Sequence, residues 1–230
     1  MTNSFSLEEQ EIEALLLSIK KLSDWFWGPD RQKCDEMLTS DYWHCFLALE
    51  TQLKFDLPEA VKKIITDLKN FKDADSFYNF LETAYVRLFI SHRNGIAAPL
   101  YESCYHGVGP GDRGSLMGEP ALKMKQRFES KGLSLDFNIH EPPDHLAIEL
   151  EYLYFLLSKG REDQDGTLIA EAGSFAAGTM LPWVSDLQTQ VELHLPDHPY
   201  CHMVSILKAV LRRIGELEKK NASLPKNERK

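Results

Sequence analysis

"IHEPPDHLAIELEYLYFLL", from Ile139 to Leu157, joins a polar head to a long apolar run. Pro142 and Pro143 lack a backbone N–H, and Pro143 holds its predecessor in an extended conformation, so no helix runs through them. Asp144 follows with a side chain suited to accept from the free N–H groups of a first helical turn, and it is the expected cap. Leu146, Leu150, Leu153 and Leu157 then recur at offsets of four, seven and eleven, which is one helical face. Ile148, Tyr152 and Phe155 add apolar surface on the other sides, so most of this helix is predicted to be buried. The polar head fixed at its mouth is either an elaborate cap or a recognition site.

Outward from this stretch the same helical pattern repeats. Ser6 and Glu9 form a capping box ahead of a helix that turns Leu15, Leu16, Ile19 and Leu22 inward. Pro58 and Pro120 stand at first-turn positions before "EAVKKIITDL" and "ALKMKQRFESKG", where Gly132 supplies the stop. Phe77, Leu81, Ala84 and Leu88 place a helix across "DSFYNFLETAYVRLFI". Two more helices meet at Pro182, and a last one from Pro199 buries Met203, Ile206, Val210, Ile214 and Leu217. No alternating run of β-branched residues predicts a sheet. The expected fold class is all-α, a single helical body of about ten helices. An N-terminal part (1–138) and a C-terminal part (139–220) are joined near 133–143, and the tail 221–230 is expected to be disordered.

The 230 residues can bury a sizeable core, and 43% hydrophobic with 27% charged residues is ordinary for a soluble globular chain. Thirty-five acids against 26 bases leave a net charge of −9, which excludes a general nucleic-acid binder and favours a basic peptide or protein surface as partner. The start is acidic where a signal peptide would be basic, and no apolar run reaches spanning length, so a cytoplasmic protein without stable membrane insertion is expected. The four cysteines make no CxxC pair, as expected of a reducing compartment.

Three motifs invite chemistry. "HGVGPGDRG" (106–114) is glycine-rich, but it lacks the lysine and following Ser/Thr of a phosphate loop and no strand precedes it, so a surface loop is expected. His194, His198, Cys201 and His202 are metal-ligand types, yet Pro196 and Pro199 break the segment and no second cluster completes a set. Asp197 or His198 is expected to cap the last helix instead, and no metal is expected. Asp144 and His145 diverge as neighbours on a helix, whereas His145 and Glu149 are four apart and are the expected pair. The bases Lys208, Arg212, Arg213, Lys219 and Lys220 are expected to form a solvated face, and most of the tryptophans and tyrosines to be core.

The stretch "EPPDHLAIELEYLYFLL" resembles the signature of the TorD/DmsD family, cytoplasmic chaperones that mature molybdenum redox enzymes. "RLFISHRNGIAAPLYESCYHGVG" is similar to a second family block, a Leu-Phe followed by Pro-Tyr-Glu-Ser-Val-Tyr, which here reads Pro99 to Tyr105. "LPWVSDL" is similar to a third, His-Leu-x-Pro-Trp, keeping Pro182 and Trp183 but holding Thr179 and Met180 where His-Leu is usual. The resemblance implies a non-enzymatic, all-α chaperone without a cofactor of its own. Its partners would be a twin-arginine signal peptide and the immature, apo form of a molybdoenzyme, with molybdopterin or a guanine nucleotide as weak further ligands. It also implies a monomer or a dimer that exchanges halves. Glu141, Pro143, Asp144, His145 and Glu149 are then the first candidates for client binding, with Tyr101, Glu102, Tyr105 and Trp183 beside them. The rival expectation is a small helical metal-dependent hydrolase using His194 to His202.

Overall fold

The computed structural model describes residues 7–53, 58–91, 95–106 and 114–223. Among them the architecture is all-α, and the one β-type contact is an isolated antiparallel bridge between Tyr101 and His145. In chain order the helices are α1 (Leu7–Trp27), α2 (Arg31–Met37), α3 (His44–Leu53), α4 (Pro58–Leu68) and α5 (Ala74–Tyr85), then α6 (Glu119–Ser130), α7 (Leu146–Glu162), α8 (Gly166–Ser174), α9 (Leu181–His194) and α10 (Pro199–Ser223). Ser6, half of the expected capping box, the glycine-rich segment 107–113 and the tail from 224 lie outside the described residues.

α7 is the axis of the fold. Leu146, Leu150, Leu153 and Leu157 are fully buried, as are Ile148 and Tyr152 on its other faces, while Phe155 packs half-buried against the same core. Each such leucine contributes about 1.5–3 kcal/mol by leaving water, so the apolar run alone demands partners on nearly every side. α1 lies along α7 through Leu15, Ile19 and Leu22, and α8 covers another side. α10 closes the body against α8, α9, α4 and α1, burying the expected Met203, Ile206, Val210, Ile214 and Leu217.

Helix ends follow the local chemistry. α6 stops in a Schellman arrangement, with Gly132 at φ 67 and the Leu133 N–H donating to the Phe128 carbonyl at 2.9 Å. His198 caps α10 by accepting the Tyr200 N–H at its Nδ1. The two helices expected to meet at Pro182 instead run together through a π segment, Phe175–Met180. Pro182 has no N–H for the carbonyl four residues back, and the wider turn lets its ring clear that carbonyl.

The expectation of a wholly solvated basic face on α10 is corrected at Arg213. Its guanidinium binds Glu11 on α1 and Glu216 one turn on, and its side chain is mostly buried. Because Glu11 is itself buried, Arg213→Ala should strand a carboxylate and cost about 2–3 kcal/mol, the low side of a buried pair because some solvent reaches both groups. Thermal melts should show a fall in Tm of roughly 5–10 °C, largely recovered when Glu11→Leu and Arg213→Met are combined.

Candidate functional site

The residues singled out at 99–105 and 141–149 come together at the mouth of α7. The first N–H groups of a helix have no partner within it, and here they are too buried for water to serve them. The Leu146 N–H donates to the Leu100 carbonyl at 2.8 Å, and the Glu102 N–H donates to the Asp144 carbonyl at 3.0 Å, on either side of the Tyr101–His145 bridge. The segment 100–102 is thus a strap laid antiparallel across the helix start. It runs into a 3₁₀ turn, Glu102–Tyr105. The chain returns over this turn at Gly114, where a Cβ would stand 1.8 Å from the Ser103 carbonyl oxygen, so no larger residue fits there.

Two expectations are corrected at this point. Asp144 does not cap α7: its Oδ2 accepts the Ser103 N–H at 2.8 Å, which turns its carboxylate toward the strap. The cap is His145, which lies before the first turn and accepts the Ala147 N–H at Nδ1, 3.2 Å away. His145 does not pair with the Glu149 side chain either. Its ring stacks on Trp27, with centroids 5.1 Å apart, and meets Tyr101 edge-on. Nδ1 accepts, so the proton of the neutral ring sits on Nε2. Burial pushes this imidazole down to about 4, against the opposing pull of Glu141 and Asp144.

Three carboxyl groups, Glu102, Asp144 and Glu149, are enclosed together, with Asp144 and Glu149 at 0% exposure. Burial above all, then the neighbouring charge of Glu102, pushes Glu149 well above the usual carboxyl range. Its protonated form is favoured there. Its Oε2 accepts from Trp183 Nε1 at 3.2 Å, and its Oε1 accepts from no donor, as suits an oxygen whose own proton turns toward Glu102. Burial raises Glu102 as well, while Glu149 and His106, whose Nε2 lies 3.1 Å from Glu102 Oε1, pull it back. Asp144 Oδ1 and Ser103 Oγ are buried without a partner among the described residues.

The remaining candidates form the rim. The Tyr101 hydroxyl donates to Glu141 Oε2 at 2.6 Å, and the Tyr105 hydroxyl donates to the Pro99 carbonyl at 2.8 Å while its ring packs on Trp183. Pro143 is half-buried beside them. Sequence reasoning missed Trp27 and Ser103. Trp27 carries the site onward, because its Nε1 donates to Glu151 on α7 at 2.8 Å, at the edge of a groove of about 300 Å³ between α1 and α7. That groove is lined by Ile19, Lys20, Ser23, Asp24, Leu150, Glu151 and Tyr154. The histidines at 194–202 lie elsewhere. His194 Nδ1 is bound to the Gln190 carbonyl and His198 stacks between Phe80 and Tyr200. Among the described residues no three His, Cys, Asp or Glu side chains are grouped to hold a metal.

Comparison with known proteins bears on this geometry. Residues 50–188, more than half of the chain and including the strap, the mouth of α7 and Trp183, match the family described as nitrate reductase delta subunit. The chain belongs to this family. Among curated proteins it is 27% identical over 132 residues to the chaperone protein TorD of Vibrio cholerae, and 30% identical over 132 residues to that of Photobacterium profundum. The alignments cover 56% and 55% of this chain, and 57% and 56% of those relatives, so the chain spans little more than half the length of either. A solved structure described as a redox enzyme maturation protein from Archaeoglobus fulgidus aligns over 90% of this chain and 94% of its own, at 19% identity and a TM-score of 0.44.

Two pH effects follow from the buried groups. The unfolded chain takes up protons below pH 6.5 that folded His145 and His198, both pushed down to about 4 by burial, refuse. These two histidines alone should make stability fall as pH drops from 6.5 to 4, with a joint slope near pH 5 approaching two protons that the raised carboxyls partly offset. In His145→Asn, which keeps a capping oxygen but cannot titrate, urea melts across this range should show about one proton fewer. Glu149 acts in the opposite sense: its folded form resists ionisation, so it lowers stability as pH rises above 4.5. Glu149→Gln should accordingly raise Tm at pH 8 and change it little near pH 4.

Proposed function

We propose that this protein is a non-catalytic chaperone that binds the twin-arginine signal peptide and the immature form of a molybdopterin-dependent oxidoreductase, assisting cofactor insertion and delaying export. The observation that carries the reading is the convergence of the strap, the mouth of α7 and Trp183 on one acid-rich site, joined through His145, Trp27 and Glu151 to an apolar groove. A twin-arginine peptide has a basic start and an apolar centre, so its receptor needs carboxylates beside apolar surface, and the net charge of −9 favours the encounter. Family membership and the chaperone names of the curated relatives support the same reading. Asp144 and His145 serve it as the joint that sets the strap, since neither presents a charge to solvent.

In this arrangement the apolar centre of the peptide lies along the groove between α1 and α7, with Leu150 and Tyr154 as its apolar floor and Asp24 and Glu151 at its edges. Calorimetry with the signal peptide of the molybdoenzyme produced by the same cells should show saturable binding that weakens several-fold between 50 and 500 mM salt, figures set by about one decade of screening, without vanishing. Absence of binding to the signal peptide, with the immature enzyme body retained in the same cells, would reassign the protein to the client body alone.

A further inference from the structure

The carboxyl cluster has a chemical imbalance that the fold leaves unanswered. Among the described residues, Asp144 Oδ1 and Ser103 Oγ are enclosed near Glu102 with no hydrogen-bond partner, and Glu102 and Ser103 line a cavity. That cavity, about 170 Å³, lies between the 3₁₀ turn and the start of α6, with Glu102 and Ser103 on one side and Ser115, Glu119 and Lys123 on the other. It holds on the order of ten waters by volume. His106 stands at its edge on Glu102. Buried polar atoms in native proteins are nearly always paired, so these two oxygens beside the Glu102 carboxyl call for a donor group. The positive end of α6 faces the same space, but Glu119 occupies its first position, and Lys123 is taken up by Glu119 at 2.8 Å. The deep charge of the site is therefore negative.

We propose that this cavity is the subsite for one arginine side chain of the bound peptide, with the guanidinium replacing His106 on Glu102 and donating a second bond to Ser103 Oγ. The inference rests on the peptide-binding reading above and assigns its arginine recognition to Glu102 rather than to Asp144. Guanidinium is donor-only, planar and forked, which matches a carboxylate and a hydroxyl side by side. A lysine ammonium is a compact, strongly hydrated charge and gains less there. Ser103 offers the sharper observation. Its hydroxyl makes no bond among the described residues, so its loss should leave the fold unchanged and be felt only in the complex.

The test is calorimetric titration of wild type, Glu102→Gln and Ser103→Ala with a synthetic peptide bearing two adjacent arginines before its apolar core, and with the same peptide carrying two lysines. Wild type should bind the arginine peptide at least tenfold more tightly than the lysine peptide. Glu102→Gln should lose about ten- to a hundredfold in affinity for the arginine peptide, bringing the two peptides level. Ser103→Ala should lose several-fold for the arginine peptide alone, with an unchanged melting temperature. Wild-type affinity for the arginine peptide in both variants overturns the subsite and leaves the peptide reading standing. A wild-type protein that binds neither peptide overturns the peptide reading, and the subsite with it.

Discussion

The start of α7 is a helix N-terminus placed where water cannot reach it. Leu146 and Ala147, its first two residues, are both at 0% exposure, and a buried backbone N–H left unpaired costs about 1–3 kcal/mol. Neither a surface loop nor a solvated cap meets that demand. The Leu100 carbonyl and His145 Nδ1 do, and the Leu100 carbonyl brings residues 100–102 across the helix mouth. Once the strap is there, its own donors require acceptors, and Asp144 supplies two of them, one from its backbone and one from its side chain. The two prolines before Asp144 follow from the same requirement, because the chain must arrive extended in order to pair with the strap.

Closing the helix mouth in this way has an electrostatic consequence. The carboxylate that holds the strap is driven into the interior beside Glu149 and close to Glu102, and among the described residues no buried Lys or Arg accompanies them. An isolated buried charge is costly enough that burial favours the neutral form, and it pushes Glu149 well above the usual carboxyl range. The cluster is held by hydrogen bonds from Trp183 and the Ser103 backbone, and by the contact of His106 on Glu102. Arg213 and Glu11 show the alternative on the opposite side of α1, where opposite charges meet at the margin of the core and clamp two helices. The first arrangement leaves Asp144 Oδ1 and Ser103 Oγ without partners among the described residues, whereas the second joins opposite charges.

Much of this was legible in the chain itself. Leucine at offsets of four, seven and eleven requires a helix, and proline and glycine at its borders set where helices begin and end, because these are local preferences that no neighbour needs to supply. The core leucines of α7, the cap at His198 and the stop at Gly132 all follow from such rules. The family resemblance of 99–105 and 141–149 was likewise visible, since it resides in short contiguous motifs. What each motif residue does was less legible. Asp144 has the side chain of a cap, and only the passage of a distant segment within 2.8 Å of its carboxylate gives it a different partner. His145 gains the cap because its backbone is extended by that pairing, and it stacks on Trp27, more than a hundred positions earlier in the chain.

Trp27 and Ser103 carry no local signal, one being an aromatic residue at a helix end and the other a serine in a turn. Their roles depend on what lies across from them. Sequence by itself determined the helices, their apolar faces and the identity of the motif blocks, because periodicity and backbone propensity act over a few residues. The tertiary structure alone decided which acid is buried, which imidazole caps, and which hydroxyl lacks a partner, because desolvation and hydrogen-bond pairing are set by atoms that the chain brings together from far apart.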